Sequence, residues 1–250
     1  MSPQISGFPE TTGPVVVLSA HLDDGVLSLG ATMALAARSG VEVRLVTVLG
    51  GDAESTRTAS RWDSRSGFFS LGEAAGARRS EDVRACAILG VQSIALPFGD
   101  LQYGRGASDD EIWGEILGAI GRSEIALIPG FPLTHPDHQW LTRLVLERGI
   151  PGARVGLYVE QPYAANRPRI RPAVPAEIAS IAGRVSSWTG RAGDPGLRRL
   201  KRKASREYRS QLRWLSARPF VLWRTSRYER KHGGELLAWA DRGQLEEEDR

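Results

Sequence analysis

The sequence predicts a single doubly wound α/β sheet, mainly parallel, with helices on both faces. Three observations carry that prediction. Short apolar runs alternate with longer segments whose apolar residues recur at helical spacing, the βαβ rhythm that builds parallel sheets through right-handed crossovers. The helical patterns stop at Gly40 and Gly90, a residue type that suits a helix C-terminus. At 250 residues, 41% hydrophobic and 25% charged, the chain has the length for one sizeable core.

Each element follows from its pattern. "PVVVLSA" (14–20) reads as a buried strand, and 24–39 as a helix with Val26, Leu27, Met33 and Leu35 at helical spacing. "VEVRLVTVL" is the second strand, "ARRSEDVRACAILG" a helix, "VQSIALPF" the third strand and "DDEIWGEILGAIG" a helix. "EIALIPG" is the fourth strand, 136–148 a helix and "ARVGLYVEQ" the fifth strand, which completes a Rossmann-like arrangement. Residues 160–197, rich in Pro, Ala, Gly and Ser, are expected to form an irregular excursion or lid. Between Arg198 and Arg213 stand eight Lys or Arg and one acid, Glu207, while Ala204, Tyr208, Leu212 and Leu215 make an apolar stripe, so one basic amphipathic helix is expected to dock on the core. The domain organisation expected is an extended or disordered N-terminus (1–13), one α/β catalytic domain (14–240) and an acidic tail (241–250) containing "QLEEEDR".

Composition narrows the function classes. No apolar run approaches the roughly 20 residues of a membrane span, and "MSPQISGFPETTG" lacks the basic and apolar regions of a secretory signal. The expectation is a soluble, cytoplasmic protein. The one cysteine, Cys86, excludes an intrachain disulfide and reads as a small core residue. A net charge of +4, a pI near 9.6 and the basic helix raise a nucleic-acid-binding reading. Against it, the basic run lacks interleaved exposed aromatics and its apolar residues face the core, so no nucleic-acid partner is expected. Homo-oligomerisation stays open. The abundance of Arg, Ala and Gly points to a GC-rich bacterial genome.

The chemistry turns on the histidines. Of four, three fall in two clusters: His21 in "HLDD", and His135 with His138 in "HPDH". Each cluster follows a predicted strand of the same parallel sheet, so both lie at the carboxyl edge where such folds bind ligands. Pro136 biases His135 to an extended conformation and suits a first helical position, which places Asp137 and His138 in an opening turn. Two imidazoles and a carboxylate are the ligand set of a catalytic zinc site. Because Asp23 and Asp24 are adjacent, their side chains diverge, so that one can bind metal while the other accepts a proton from the metal-bound water that attacks an amide or ester. A DD pair at a helix start is otherwise an ordinary N-cap, and a loop histidine an ordinary surface residue. The joint pattern favours the metal site.

At these residues the sequence resembles the LmbE-like or PIG-L family of zinc-dependent N-acetylglucosaminyl-type deacetylases, whose AHPDDE-like and HPDH-like segments appear here as "AHLDDG" and "HPDH". "RRSEDVRACAILG", "LYVEQPYA" and "KRKASREYRSQ" are similar to further stretches of that family, in its order, over most of 14–215. The resemblance implies that His21, Asp24 and His138 bind one zinc ion and that Asp23 is the general base. His135 would stabilise the oxyanion or protonate the leaving amine, with Asp137 orienting it or tuning its pKa. Arg78 and Asp100 match positions that hold sugar hydroxyls, and Lys201 is placed with them as substrate-binding. Lys201, Tyr208 and Gln211 share one helical face, toward the cleft or packed. The implied substrate is a small-molecule N-acylated amino sugar or glycoconjugate; a sugar-binding protein without activity is the alternative. Two positions depart from the family: Leu22 replaces its usual Pro and Gly25 its usual Glu, which touches the packing behind the loop and the substrate type.

Overall fold

All five predicted apolar runs become parallel strands: β1 (Val15–Ser19), β2 (Val43–Thr47), β3 (Gln92–Ala95), β4 (Ile125–Phe131) and β5 (Arg154–Val159). The structure is a computed structural model that describes residues 11–215 and 220–241; the first ten residues of the predicted N-terminal extension, and the predicted acidic tail beyond Asp241, lie outside the described residues. The crossovers are α1 (Asp24–Arg38), α3 (Leu71–Leu89) preceded by the short α2 (Arg61–Arg65), α4 (Asp109–Ile120) and α5 (Pro136–Arg148). Then come α6 (Ala176–Ala182), β6 (Arg184–Val185), β7 (Thr189–Arg191), α7 (Pro195–Ser205), α8 (Arg209–Leu215), α9 (Val221–Lys231) and β8 (Glu235–Asp241). The sheet order is β3-β2-β1-β4-β5-β8-β6, with β7 pairing β8, and β8 runs antiparallel to β5. Strand order reverses between β1 and β4, and that switch point is where a doubly wound sheet binds ligands beyond its strand ends.

Alternation along each strand divides the core between the two faces. Val15 and Val17 of β1 and Ile125 and Leu127 of β4 pack with α1, α3 and α7, including the buried Cys86. Val16, Leu18, Ala126 and Ile128 face α4, α5 and α6 on the other side. Successive side chains of a strand point to opposite faces, so an unbroken apolar run such as "VVVL" is what a sheet covered on both sides requires.

Two expectations about the C-terminal third are corrected. The single basic helix of 198–213 is two helices, α7 and α8, with a turn at 206–208. Tyr208 is drawn into the core, where its hydroxyl donates to buried Asp82 at 2.5 Å, and α8 restarts on Glu81, which accepts from the Ser210 amide at 2.9 Å and hydroxyl at 2.6 Å. Lys201 does not reach the cleft. Its stem lies on Gly30 of α1, where an added Cβ would come within 2.9 Å of it. Its ammonium is buried and donates to Glu229 and Glu235, each at 2.6 Å, and to the Ser28 carbonyl at 3.0 Å.

That ion cluster closes a break in α1. Leu29 leaves helical geometry (φ −124°, ψ 15°), which frees the Ser28 carbonyl and the Ala31 and Thr32 amides from the helical ladder. Lys201 takes the carbonyl, and the Glu235 carboxylate accepts the two amides at 2.9 and 2.7 Å. Burial opposes the Lys201 charge, but the two glutamates outweigh it and raise its pKa; burial also raises the Glu229 carboxyl, against the pull of Lys201. Removing one partner of a buried pair leaves an uncompensated charge at a cost of about 3–5 kcal/mol. Lys201→Met is therefore expected to lower stability to urea by about that amount, and an unchanged unfolding midpoint would contradict the role given to the cluster.

Candidate metal centre and cleft

Both histidine motifs arrive at the switch point on the ends of buried strands. β1 stops at Ser19, whose hydroxyl donates to the His21 carbonyl at 2.8 Å, and α1 starts at Asp24. β4 ends at Phe131, and His135 is the extended N-cap (φ −93°, ψ 134°) of α5, with Pro136 at its first position and His138 in its first turn. Proline sets this local course, since it disfavours helix in the residue before it and tolerates the start of one.

Three donor atoms meet there. His21 Nδ1 lies 3.2 Å from Asp24 Oδ2 and 3.1 Å from His138 Nε2, and His138 Nε2 lies 3.0 Å from Asp24 Oδ2. Ligands about 2.0–2.1 Å from a tetrahedral cation stand roughly 3.3 Å apart, so the triangle has the size such an ion needs. The other nitrogen of each imidazole is bound to a buried carboxylate. His21 Nε2 donates to Asp137 Oδ2 at 3.1 Å, and His138 Nδ1 donates to Glu160 Oε1. Outer carboxylates of this kind fix the tautomer and orientation of metal-binding histidines. Three histidines, His21, His135 and His138, also offer atoms within 4.8 Å of one another. The tighter set is the one with Asp24, whose three donor atoms lie within 3.2 Å of one another, and His135 Nδ1 accepts from the Asp137 amide at 3.2 Å.

Electrostatics matches the geometry. Burial works against the Asp24 carboxylate, but His138 and His21 outweigh it and hold its pKa well below the usual range. Burial likewise opposes a charge on His21, yet bonds to Asp137 and Asp24 raise its pKa to about 9. Asp23 goes the other way: burial first, then the neighbouring Asp24 charge, push its carboxyl well up. Among the described residues it makes no side-chain hydrogen bond, not even the helix cap its position offers, and its backbone sits at φ 116°. A positive φ is uncommon outside glycine and costs of order 1–3 kcal/mol.

Asp137 departs from expectation. The resemblance implies that it orients His135 or tunes its pKa. Its Oδ2 stands 3.7 Å from His135 Nδ1, while its carboxylate is bonded to His21, to the Leu101 amide at 3.2 Å and to Arg105 at 3.1 Å. The His135 pKa is lowered, by burial and by the His21 and His138 charges, and Asp137 only partly offsets this.

A cleft of about 410 Å³ opens beside the centre, lined by His21, Asp23, Asp24, His135 and Asp137. Arg78, Asp100 and Gln211 line it too, whereas Lys201 and Tyr208 do not. Arg78 is braced by the buried Asp63, which also accepts from the Tyr103 hydroxyl at 2.6 Å. Glu160, Asp63, Tyr103, Arg105 and Tyr163 are site residues that sequence reasoning did not assign. Signals existed for Glu160 and Tyr163, the acid and the aromatic in "LYVEQPYA". The two departures from the family pattern have physical explanations. Leu22 is buried and lines the cleft, and a Cβ on Gly25 would come 2.4 Å from Leu45 Cδ1, so β2 leaves no room for a side chain there.

With the geometry in place, comparison with known proteins identifies the lineage. A family model described as PIG-L, GlcNAc-PI de-N-acetylase, matches residues 16–148, a little over half of the chain. No curated protein sequence matches. Among solved structures, a deacetylase triple mutant from the teicoplanin biosynthetic pathway is 26% identical with a TM-score of 0.75, over 93% of this chain and 100% of its own. The A40926 pseudoaglycone deacetylase is 26% identical with a TM-score of 0.73, over 94% and 100%. A zinc-inhibited form of a teicoplanin deacetylase is 25% identical with a TM-score of 0.70, over 90% and 97%. The two motifs that meet at the switch point both lie within the matched segment, and the chain belongs to the PIG-L (LmbE-like) family of de-N-acetylases.

Proposed function

We propose that this protein is a metal-dependent hydrolase that removes an N-acetyl group from an amino sugar carried on a larger molecule. The triangle of His21 Nδ1, Asp24 Oδ2 and His138 Nε2, with sides of 3.0–3.2 Å, is the observation that carries the reading. Its donor set, two imidazoles and one carboxylate, suits a divalent ion, zinc in our reading, and Asp137 and Glu160 add the outer carboxylates. Such an ion supplies Lewis acidity, lowering the pKa of water to about 7 and polarising an amide carbonyl.

The chain's own residues do the rest. Asp23, unbonded and with its pKa raised, is the group to take the proton from the attacking water. His135 has Nδ1 occupied by the Asp137 amide, so Nε2 is left as its donor toward the oxyanion and the leaving nitrogen. Arg78 and Asp100 on the cleft wall would hold sugar hydroxyls. The cleft volume, about 410 Å³, is within the roughly 300–1,000 Å³ of small-molecule sites. Matches along nearly the whole chain to deacetylases of teicoplanin and of the A40926 pseudoaglycone support a glycoconjugate over a free sugar.

Metal content tests the centre. The protein as purified should hold about one divalent ion per chain; Asp24→Ala and His138→Ala should each lose it, and Asp137→Asn should weaken binding about 10–100-fold through His21. A protein that binds neither zinc nor cobalt would end this reading.

Asp23 is tested apart from the ligands. Asp23→Asn should keep the ion and lose about 10²–10⁴ in turnover on an N-acetylglucosaminide. Asp23→Gly should lose turnover likewise but unfold at higher denaturant in the metal-free state, because relief of about 1–3 kcal/mol of backbone strain exceeds the roughly 0.5–1 kcal/mol that glycine costs in conformational entropy. Full activity in a metal-loaded Asp23→Asn protein would remove Asp23 from the role of base.

A further inference from the structure

We propose that Arg105 is a positioning residue of the metal centre: through Asp137 it fixes His21, and it thereby couples the substrate-facing wall of the cleft to cation binding. This rests on the reading of His21, Asp24 and His138 as ligands. Asp137 is fully buried, and its two oxygens are shared among His21 Nε2 at 3.1 Å, the Leu101 amide at 3.2 Å and Arg105 Nη2 at 3.1 Å. Leu101 and Arg105 belong to one loop, 99–108, whose residues 100–103 line the cleft. The Arg105 guanidinium carbon sits 4.0 Å over the Trp140 ring, two residues beyond His138 on α5. Its Nε is buried without a hydrogen-bond partner among the described residues. Arg105 thus spans from the substrate wall to the helix that presents His138, with the carboxylate that holds His21 at its tip.

The same loop is tied to the opposite wall. The Tyr103 hydroxyl donates to Asp63 at 2.6 Å and accepts from the Ser60 amide at 2.5 Å, and the Tyr103 carbonyl accepts from Arg57 at 2.8 Å. A hydrogen-bonded chain therefore runs from α2 through Tyr103, the 99–108 loop and Asp137 to His21. Three carboxylates, Asp24, Asp137 and Glu160, crowd two imidazoles here, and Arg105, holding Asp137 Oδ1 at 3.1 Å, keeps the other oxygen, Oδ2, turned to His21. A stacked, planar guanidinium keeps that orientation in a way a flexible ammonium cannot. Coupling of this kind is reciprocal: if the loop strengthens cation binding, the cation steadies the loop by the same factor.

Cobalt(II) affinity by chelator competition, with the visible spectrum of the bound ion, tests this without reference to turnover. Arg105→Met should weaken cobalt binding about 10–100-fold and alter the spectrum, as loss of an outer partner does. Arg105→Lys should recover part of the affinity, and Trp140→Leu, which removes the platform together with the indole bond to Asp109 but leaves Arg105 in place, should weaken binding in the same direction. In the wild type, cobalt should slow hydrogen exchange of the 99–108 amides, and in Arg105→Met it should not. Wild-type affinity and spectrum in folded Arg105→Met would overturn the proposal and leave the metal reading standing; failure of the wild type to bind cobalt would overturn both. If Arg105→Met does not fold, Arg105→Lys and Trp140→Leu decide, with unchanged affinity in both refuting it and weakened affinity in both supporting it.

Discussion

Two imidazole nitrogens and a carboxylate oxygen, all within 3.0–3.2 Å of one another, make a cluster that water would otherwise solvate and the fold holds largely buried. Donors crowded this closely repel one another unless positive charge sits among them and their remaining hydrogen-bond capacity is met. Much of the surrounding structure answers that need. β1 and β4 are parallel neighbours, so His21 and His138 meet at the switch point beyond their carboxyl ends. Asp137 and Glu160 take the outward nitrogens, and α1 begins at Asp24, so that a carboxylate occupies the positive end of its dipole.

The demand for placement extends into α1. Asp24 is useful only if the first turn of that helix is held in register with β4, yet α1 is also a core helix packed on α3 and α7. The break at Leu29 divides these duties: the first turns follow the site and the remainder follows the core. Lys201 and Glu235 bond the backbone groups the break releases, and so make it a defined joint. The lysine grouped with the substrate-binding residues instead supports, from behind, the helix that carries Asp24.

The contrast shows what a sequence displays and what it hides. The strands, the crossover helices and the HxDD and HPDH clusters are written in short-range patterns, alternation and proline-histidine spacing, which survive reading in one dimension. The fate of Lys201 is not, because residues on one helical face share a direction and say nothing of what lies opposite; Gly30 and two distant glutamates decided it. Asp137 was assigned to His135, its neighbour in sequence, while its side chain is bonded at 3.1 Å to His21 and to Arg105, both far away in the chain. Arg105 and Tyr103 sit in a loop and Asp63 in the five-residue α2, too short for any periodicity to mark a residue as facing a site. The antiparallel strand β8 went unread because its first residue is a buried glutamate whose partners are the α1 amides and Lys201, a polar start that no strand pattern announces.

Asp23 and Asp24 are the sharpest case of position prevailing over composition. The two carboxylates are adjacent and chemically alike, yet the chain gives them opposite environments. Asp24 is helical, meets two imidazoles and stays charged; Asp23 is forced to a positive φ, meets no side-chain hydrogen-bond donor among the described residues and is disfavoured as an anion by burial and by Asp24 itself. A helix N-cap would ordinarily spend its side chain on the first amides, gaining about 1 kcal/mol, and here that gain is forgone and backbone strain is added. A fold under pressure for stability alone would place a glycine or a capping serine at this point. The structure instead keeps beside the candidate cation site a carboxylate that makes no side-chain hydrogen bond among the described residues, its pKa raised by burial and by the Asp24 charge. That is the arrangement expected when the side chain's partner is a reacting molecule and not the protein.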